Sequence, residues 1–461
     1  MSTLFGATDY SFFKTPKWVD PSRPPGTTPQ TPTTYLKVVT NMATAKVLLF
    51  SPNGVWFSIA VAVHLLAPHD LAAAGRLDLG WIARRAVLNL ALTTTYYLFW
   101  ELTLYHLGWS SRKFKGGQMP GAGVLRHNVF YTSLGALQWT VWEVLVLHLL
   151  ATGTLGYIDD SVGGLVRRGE WLDLLRLGFW CVAIPVWRST HFYFAHRLLH
   201  INPLYKYVHC LHHRNVDIEP FAGMAMHPVE HMYYFACFAP SLYFRMSPFL
   251  LLWNGIHLLL SPAASHSGWE DHMQSDQFHY LHHARFECNY GSASLPLDET
   301  FGTFREQLGK SRRYAGAADV AAPDVATFKA DAATTAAATA AATAAAAAPT
   351  RSFELAIKVP RGWYAFSLFS ALVFGVLLHV LVAPATVLRA ADPRAVAAFI
   401  AAGPCVAASA LLLALGDAKE FLWPFHRESI ATSLLHLGMG AAVTVLPVYH
   451  VIAWVLHGCV K

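Results

Sequence analysis

The sequence predicts an all-α, polytopic membrane protein whose histidine-box helices lie on the cytosolic side. Of the 461 residues, 54% are apolar and only 13% are charged, whereas soluble proteins carry about 25% charged residues. Several apolar stretches approach the ~20 residues that a bilayer-spanning helix needs. Fourteen of the 24 histidines fall between His191 and His283, where even spacing would place about five. Apolar stretches in this number exceed what one soluble domain can bury.

Nine apolar stretches are predicted to span the bilayer. They lie near 46–67, 86–108, 129–151, 171–190, 229–245, 247–264, 361–384, 393–416 and 429–456. The stretches at 229–245 and 247–264 form a hairpin of two short spans that is broken near Arg245 and Pro248.

Composition divides the chain into four regions. Residues 1–45 are polar and rich in Pro and Thr, and we expect a disordered tail without a cleavable signal peptide. Residues 46–310 form a membrane-embedded domain with all the histidine boxes, and 311–360 form an Ala/Thr-rich linker. Residues 361–461 form a C-terminal transmembrane block whose sequence indicates no chemistry. Because the linker has no core-forming face, we expect this block to be dispensable for catalysis.

Basic residues in the loops predict the orientation of the spans. The loop at 110–126 carries four basic residues, whereas the next loop has only Arg167 and Arg168. The first loop should therefore be cytosolic, and counting spans from it brings all the histidine boxes to the cytosolic side. The three arginines at 68–85 argue in the opposite direction.

The histidines form three regularly spaced boxes. They read His196-Arg-Leu-Leu-His200, His209-Cys-Leu-His212-His213 and His279-Tyr-Leu-His282-His283. Residues three and four apart share one face of a helix, so each box directs two or three imidazoles to one point. Imidazole suits iron, copper, nickel or zinc. Eight such ligands exceed the four of tetrahedral zinc and predict a pair of metal ions with open positions.

The surrounding sequence narrows the chemistry. The six cysteines are scattered without a C-x-x-C pair, which argues against a thiolate site. A site at the boundary between membrane and cytosol suits a long apolar substrate. Such a substrate lacks an activated carbon, so an oxidative reaction with iron, dioxygen and two electrons is the expected chemistry. The net charge of +6 without a basic run gives no indication of nucleic-acid binding.

The boxes and the motifs after them resemble the fatty acid hydroxylase/sterol desaturase superfamily from about Phe192 to Phe304. The resemblance rests on box order and spacing, on Asn289-Tyr290-Gly291 and on Asp298-x-x-Phe301-Gly302-Thr303. It implies a non-haem di-iron enzyme of the endoplasmic reticulum that hydroxylates or desaturates sterols or fatty-acyl lipids. It also implies electrons from NAD(P)H through cytochrome b5 and its reductase.

Two segments between the boxes are similar to the sterol-acting branch. They are His227-Pro228-x-Glu230-His231 and His266-Ser267-Gly268-Trp269. The sequence departs from the family where an acidic residue often precedes the first box, since Ser189, Thr190 and His191 stand there. It departs again at Leu297, where an aromatic residue usually precedes the acid.

Three further histidines are candidate ligands. His266 lies thirteen residues before the third box, a spacing that suits an additional ligand. His227 and His231 are weaker candidates, because Pro228 and Glu230 also suit a helix start at His227. We expect His191 and His257 to pack or to form hydrogen bonds.

Six acidic residues have two interpretations each. Four of them either orient ligand imidazoles as acceptors or are solvated loop charges; these are Asp217, Glu219, Asp271 and Asp298. Glu101 and Glu143 lie inside predicted spans, where charge is costly. They either line a substrate tunnel or pair with His106, His127 or His148.

The predicted function is an oxygen-dependent lipid hydroxylase or desaturase. The same site would also suit ether-lipid cleavage, carotenoid hydroxylation or aldehyde processing. A histidine-rich metal transporter is the alternative from another class, but its ligands should lie mid-span, whereas these boxes lie at span ends. The chain has no His-Pro-Gly-Gly segment typical of a fused cytochrome b5, so a separate electron donor is expected.

Overall fold

The computed structural model describes residue 22 and residues 25–27, 30–49, 51–110, 112–114, 120–159, 161–216, 218–270, 277–306 and 430–460. These residues form helices and loops with two isolated β-bridges and no strand, which confirms the all-α prediction. In chain order the α-helices are α1 (Tyr35–Ala43), α2 (Lys46–Leu49), α3 (Asn53–Leu66), α4 (Leu71–Gly75), α5 (Leu79–Glu101), α6 (Ala122–Ala151), α7 (Val162–Arg168), α8 (Trp171–Leu199), α9 (Asn202–Tyr207), α10 (Pro228–Phe235), α11 (Pro240–Tyr243), α12 (Pro248–Ser265), α13 (Gln277–Arg285), α14 (Leu297–Thr300) and α15 (Ile430–Val460). A π-helical turn at Leu102–His106 extends α5, and 3₁₀ helices span His209–Arg214, Pro220–Met224 and Ala236–Phe238.

Fewer helices than predicted have the length and hydropathy of a membrane span. Among the described residues two qualify, α6 and the Leu435–Val455 part of α15. The stretch at 229–245 divides into α10, a 3₁₀ turn and α11, since Pro240 has no N–H to continue the preceding helix. Helix α3 has only 14 residues. The predicted spans at 361–384 and 393–416 lie outside the described residues.

Aromatic residues dominate the core between the long helices. Trp56 of α3, Trp139 of α6 and Trp253 of α12 are at most 1% exposed. Gly255 allows α12 to approach α6 closely, because a Cβ atom there would lie 2.3 Å from the Trp139 ring. Burial of large aromatic rings is among the strongest apolar contributions to packing, and it holds α12, whose C-cap is His266, against α6.

A buried ion pair joins α5 and α6. The Glu143 carboxylate accepts hydrogen bonds from Arg85 at 2.6 Å and Asn89 at 2.9 Å, and it lies 2.9 Å from His69 Nε2. Glu143 is therefore paired, which was one of its two predicted roles. Its partners are Arg85 and His69, whereas the predicted partner His148 contacts the Ala74 carbonyl. This cluster explains how a charge is tolerated within an apolar helix.

Gln30 and Thr33, within the segment predicted to be a disordered tail, bond to the loop that follows the third box. The Gln30 and Thr33 amides donate to the carbonyls of Glu306 and Ala293 at 2.8 and 2.9 Å. Thr34 then caps α1 by accepting from the Lys37 amide. A Pro/Thr-rich composition is typical of disordered segments because it offers few apolar side chains to bury. These contacts are formed by backbone atoms, which need no apolar side chains. Residues 1–21 lie outside the described residues.

The last helix packs against α8. A Cβ atom on Gly440 would lie only 2.9 Å from Leu198 Cβ, so the two helices are in close contact. The His191 ring lies 3.1 Å from the Val443 carbonyl, and Tyr243 bonds to His450 at 2.8 Å. The α15 part of the C-terminal block is therefore packed against the first-box helix, a contact that the sequence did not indicate. The 311–360 linker lies outside the described residues.

Candidate metal centre

The three histidine boxes lie on three separate helical segments. His196 is in the last turn of α8, and His200 is its C-cap. The second box forms the 3₁₀ helix His209–Arg214, and the third lies within α13. The prediction of helical boxes holds for all three, although the second is a 3₁₀ rather than an α-helix.

The box histidines converge into two separate buried groups, and His266 is an additional member of one of them. The five-histidine group contains His196, His200, His209, His213 and His282, and the four-histidine group contains His212, His266, His279 and His283. Within each group, one nitrogen from every ring lies within 4.8 Å of the others. All eight predicted ligands are therefore brought together, and His266 completes the second group.

Helical spacing explains how one box serves both groups. In the third box, His279 and His283 are four residues apart and belong to the four-histidine group, while His282 points to the other group. In the second box the assignment is reversed, since His209 and His213 share the five-histidine group. Residues at i and i+4 lie on one face, and the i+3 residue lies on its flank.

The nitrogen positions within each group fit a bound cation. His196 Nε2 lies 3.1 Å from His209 Nε2, and His266 Nε2 lies 3.1 Å from His283 Nε2. In a neutral ring only one nitrogen carries a proton, so lone pairs meeting at this distance repel unless a proton or metal ion lies between them. A metal ion satisfies several converging lone pairs at once.

A loop after the third box orients one ring from each of two boxes. His196 Nδ1 lies 2.7 Å from the Tyr290 carbonyl, and His282 Nδ1 lies 2.8 Å from the Cys288 carbonyl. Donation from Nδ1–H places the lone pair on Nε2, the nitrogen that faces the group. Such outer contacts fix the tautomer and direction of metal-binding histidines.

Asp298 holds this loop in place rather than contacting a histidine. Its carboxylate accepts from the Tyr290 and Gly291 amides, both at 2.8 Å, and from the Thr303 hydroxyl at 2.6 Å. The left-handed backbone of Asn289, with φ of 54°, turns the loop, a conformation that asparagine tolerates well. Asp298 is thus a positioning residue. It holds the loop whose Tyr290 carbonyl contacts His196, rather than contacting an imidazole itself.

The Glu230 carboxylate contacts a box histidine, a role that the sequence did not indicate. Its Oε1 lies 2.8 Å from His209 Nδ1, and both side chains are nearly fully buried. In the sequence, Glu230 suggested a capping residue for α10. The 21-residue separation from His209 carries no periodic signal, so only the fold reveals this pair.

Burial favours the neutral form of the box histidines. Loss of solvation lowers the pKa of seven of the eight well below the usual value for histidine. They are His200, His209, His212, His213, His279, His282 and His283. Neutral imidazole is the form that binds metal, and such a ring has a free lone pair at pH 7.

The remaining candidates lie outside both groups. His227 caps α10 by accepting from the Val229 amide at 3.2 Å, and His231 Nε2 lies 3.1 Å from the Met224 carbonyl. His257 bonds to Asn53 at 2.8 Å, in line with its expected role. Glu219 accepts from Asn128 at 2.7 Å and from a backbone amide. Asp217 and Asp271 lie outside the described residues.

A small cavity of about 20 Å³ borders both groups, and we call it the histidine cavity. Its histidine wall contains His196 and His209 from one group and His212, His266 and His279 from the other. Its apolar wall contains Phe192, Ala195, Leu199, Met226 and Pro262. A reactant in this space would contact both groups while surrounded by apolar side chains.

The fold and the site define a helical histidine-box protein with two buried all-imidazole groups. Residues 181–303 match the family model of fatty acid hydroxylases. The histidine-bearing part of the chain is thus similar to the fatty acid hydroxylase/sterol desaturase superfamily, and the relatives named below favour its sterol-acting branch. The resemblance stated from the boxes is thereby confirmed.

Similar proteins carry names of sterol-oxidising enzymes. A Delta(7)-sterol 5(6)-desaturase of Gibberella zeae is 33% identical over 133 residues, which are 24% of this chain and 34% of that protein. Methylsterol monooxygenase 1 of Gallus gallus is 33% identical over 146 residues, 29% of this chain and 48% of its own length. Lathosterol oxidase of Rattus norvegicus is 24% identical over 242 residues, 49% of this chain and 77% of its own. The chain thus spans half or less of the first two, and no solved structure matches it.

Proposed function

We propose that this protein is an oxygen-dependent lipid oxidoreductase that hydroxylates or desaturates a sterol or fatty-acyl lipid. The observation that carries the proposal is the pair of buried all-histidine groups on one apolar cavity. The names of the similar proteins support oxidation of a sterol-like substrate.

We propose two iron ions as the cofactor, one in each group. Nine imidazoles and no thiolate form the donor set, whereas structural zinc sites more often use cysteine and close at four ligands. Five donors in one group exceed the tetrahedral number. Bound iron would supply the activation of dioxygen, with electrons from NAD(P)H through a separate cytochrome b5 or an equivalent donor.

The chain itself contributes orientation and exclusion of water. Phe192 and Met226 present apolar surface beside the histidines, which favours an alkyl group and disfavours solvent. Tyr290, Cys288 and Glu230 hold the ring nitrogens in fixed directions. A substrate carbon held in this cavity would meet a rigid set of ligands, which is the main requirement for positioning.

Metal content and turnover test the proposal together. Purified full-length protein should contain about two equivalents of iron by elemental analysis, as two separate donor groups require. His200→Ala and His283→Ala remove one ligand from each group and should abolish lipid turnover while the protein remains folded. His257→Ala is a matched control, because His257 is equally buried but bonds to Asn53. One equivalent or less of metal with full activity would contradict the proposal.

The substrate is best found by lipid profiling. In cells that lack the gene, the precursor of the reaction should accumulate, and its mass should differ from that of the missing product by one oxygen or two hydrogens. An unchanged lipid profile, together with protein that oxidises no sterol or acyl lipid in vitro, would contradict a role in lipid oxidation.

We further propose that the protein resides in the endoplasmic reticulum membrane with the histidine groups facing the cytosol. The basic loop at 110–126 motivates this orientation. A glycosylation acceptor inserted near Ala336 should remain unmodified, whereas one placed in the loop between α6 and α7 should be modified. The reverse pattern would overturn the orientation.

A further inference from the structure

Arg188 lies on the same face of α8 as the first histidine box. Arg188, Phe192, His196 and His200 follow one another at intervals of four residues, so their side chains form one row along the helix. Arg188 lines the histidine cavity together with His266 and His279. The row thus brings a permanent cation into the wall of the proposed active site.

The Arg188 guanidinium is buried without a carboxylate partner in the described part of the chain. The residue is 7% exposed, and its Nε has no hydrogen-bond partner. Its terminal nitrogen lies a long 3.4 Å from the Tyr234 hydroxyl, and its charge stacks 5.1 Å from the Phe192 ring. Glu230 lines the same cavity but contacts His209 instead. A buried charge left in this state is costly and usually has a partner.

A second cavity meets the histidine cavity at Arg188, and hydroxyl groups line it. Arg188, Phe192, Ser265 and His279 border both spaces. The second cavity has a volume of about 130 Å³, and its polar wall contains Thr33, Ser261, Ser292 and Ser294. This volume holds a small polar group but not a whole lipid. A guanidinium beside several hydroxyls is suited to bind the oxygens of a carboxylate or phosphate.

We propose that Arg188 binds the oxyanion of an acidic lipid substrate, a carboxylate or a phosphate, in the hydroxyl-lined cavity. The proposal rests on the proposed function and narrows its substrate class. The lipid chain then runs past Phe192 and His279 toward the histidine cavity, which has a volume of about 20 Å³ and must widen by side-chain movement to admit it. Arg188 therefore selects lipids by charge and sets which carbon lies beside the histidine groups.

Binding of paired acidic and neutral lipids tests this proposal without any turnover. Equilibrium dialysis on the full-length protein would compare palmitate and hexadecyl phosphate with hexadecanol, and cholesteryl hemisuccinate with cholesterol. We expect at least one acidic lipid to bind about tenfold or more tightly than its neutral partner, as charge-assisted bonds to a buried guanidinium predict. Palmitate or hemisuccinate binding identifies a carboxylate ligand, and hexadecyl phosphate binding identifies a phosphate.

Substitutions at Arg188 assign the preference to this residue. Arg188→Gln should remove the preference for acidic lipids, and Arg188→Lys should retain part of it, because lysine keeps the charge but not the planar fork. Arg176→Gln, on the exposed part of the same helix and paired with Asp173, should leave it unchanged. Metal content should be the same in all three variants.

Two results would overturn the proposal. One is wild-type protein that binds no acidic lipid more tightly than its neutral partner, a measurement that needs no variant to fold. The other is folded Arg188→Gln protein that keeps the full preference. Failure of the proposed function would instead appear as wild-type protein without metal or lipid oxidation, whatever its lipid preference.

Discussion

Glu230 offers the sharpest test of how the fold tunes the histidine groups. Its carboxylate orients His209, which belongs only to the five-histidine group. Replacement by alanine leaves the buried Nδ1–H of His209 without its acceptor and frees the ring to rotate. Loss of such an outer contact typically lowers metal affinity roughly 10- to 100-fold, or about 1.4–2.8 kcal/mol. The four-histidine group should be unaffected.

A chelator titration resolves the two groups. Wild-type protein and Glu230→Ala protein, both loaded with iron, would be titrated with a competing chelator while metal release is followed. The variant should release about one equivalent at a roughly 10- to 100-fold lower chelator concentration and the other at the wild-type concentration. Glu230→Gln keeps an acceptor oxygen and should show a smaller shift.

A second buried carboxylate provides the control. Glu219→Ala removes an acid that bonds to Asn128 and to the Phe221 amide, and it should release both metals as the wild type does. If Glu230→Ala releases both metals at unchanged chelator concentration, the contact does not orient His209. If both equivalents shift together, the two groups are not independent, and the reasoning from separate groups is refuted.

Three further predictions concern other contacts. His266→Ala should weaken metal binding in the four-histidine group, which keeps three imidazoles, while His231→Ala should bind both metals as the wild type does. The same chelator titration decides, and equal release from the two variants would contradict the assignment. Asp298→Ala should weaken metal binding roughly 10-fold by releasing the loop that orients His196, measured with the same chelator; unchanged affinity would argue against a positioning role. Gly440→Val should lower the unfolding temperature by pushing α15 away from Leu198, at a cost of about 1–3 kcal/mol, and an unchanged melting curve would show that this contact is loose.

The histidine boxes were predictable because helical periodicity is local. The spacing of three and four residues determines which rings share a face, and all eight predicted histidines meet within two groups. Which rings from different boxes share a group was not predictable, because it depends on how distant segments are oriented in the fold. His266 could be proposed only as a candidate, since its position in the group results from where α12 ends.

Contacts between distant segments account for what the sequence did not indicate. Glu230 and His209 are 21 residues apart without any repeating pattern. Gln30 is joined to Glu306 by backbone atoms, and such a contact leaves no trace in side-chain composition. The packing of α15 against α8 depends on Gly440. The apolar residues around it would suit contact with lipid equally well, so the sequence did not indicate this contact.

The contact between α8 and α15 has a consequence for biosynthesis. His191 and Val443 are separated by 252 positions in the chain. At a translation rate of about 5–20 residues per second, the ribosome needs roughly 13–50 s to reach the second residue after the first. During that interval the first-box helix has been made, but the surface that Gly440 will cover is open to solvent, lipid or other proteins. Newly made chains therefore pass through a period in which a membrane chaperone could bind α8, and this contact forms only after Val443 has been synthesised.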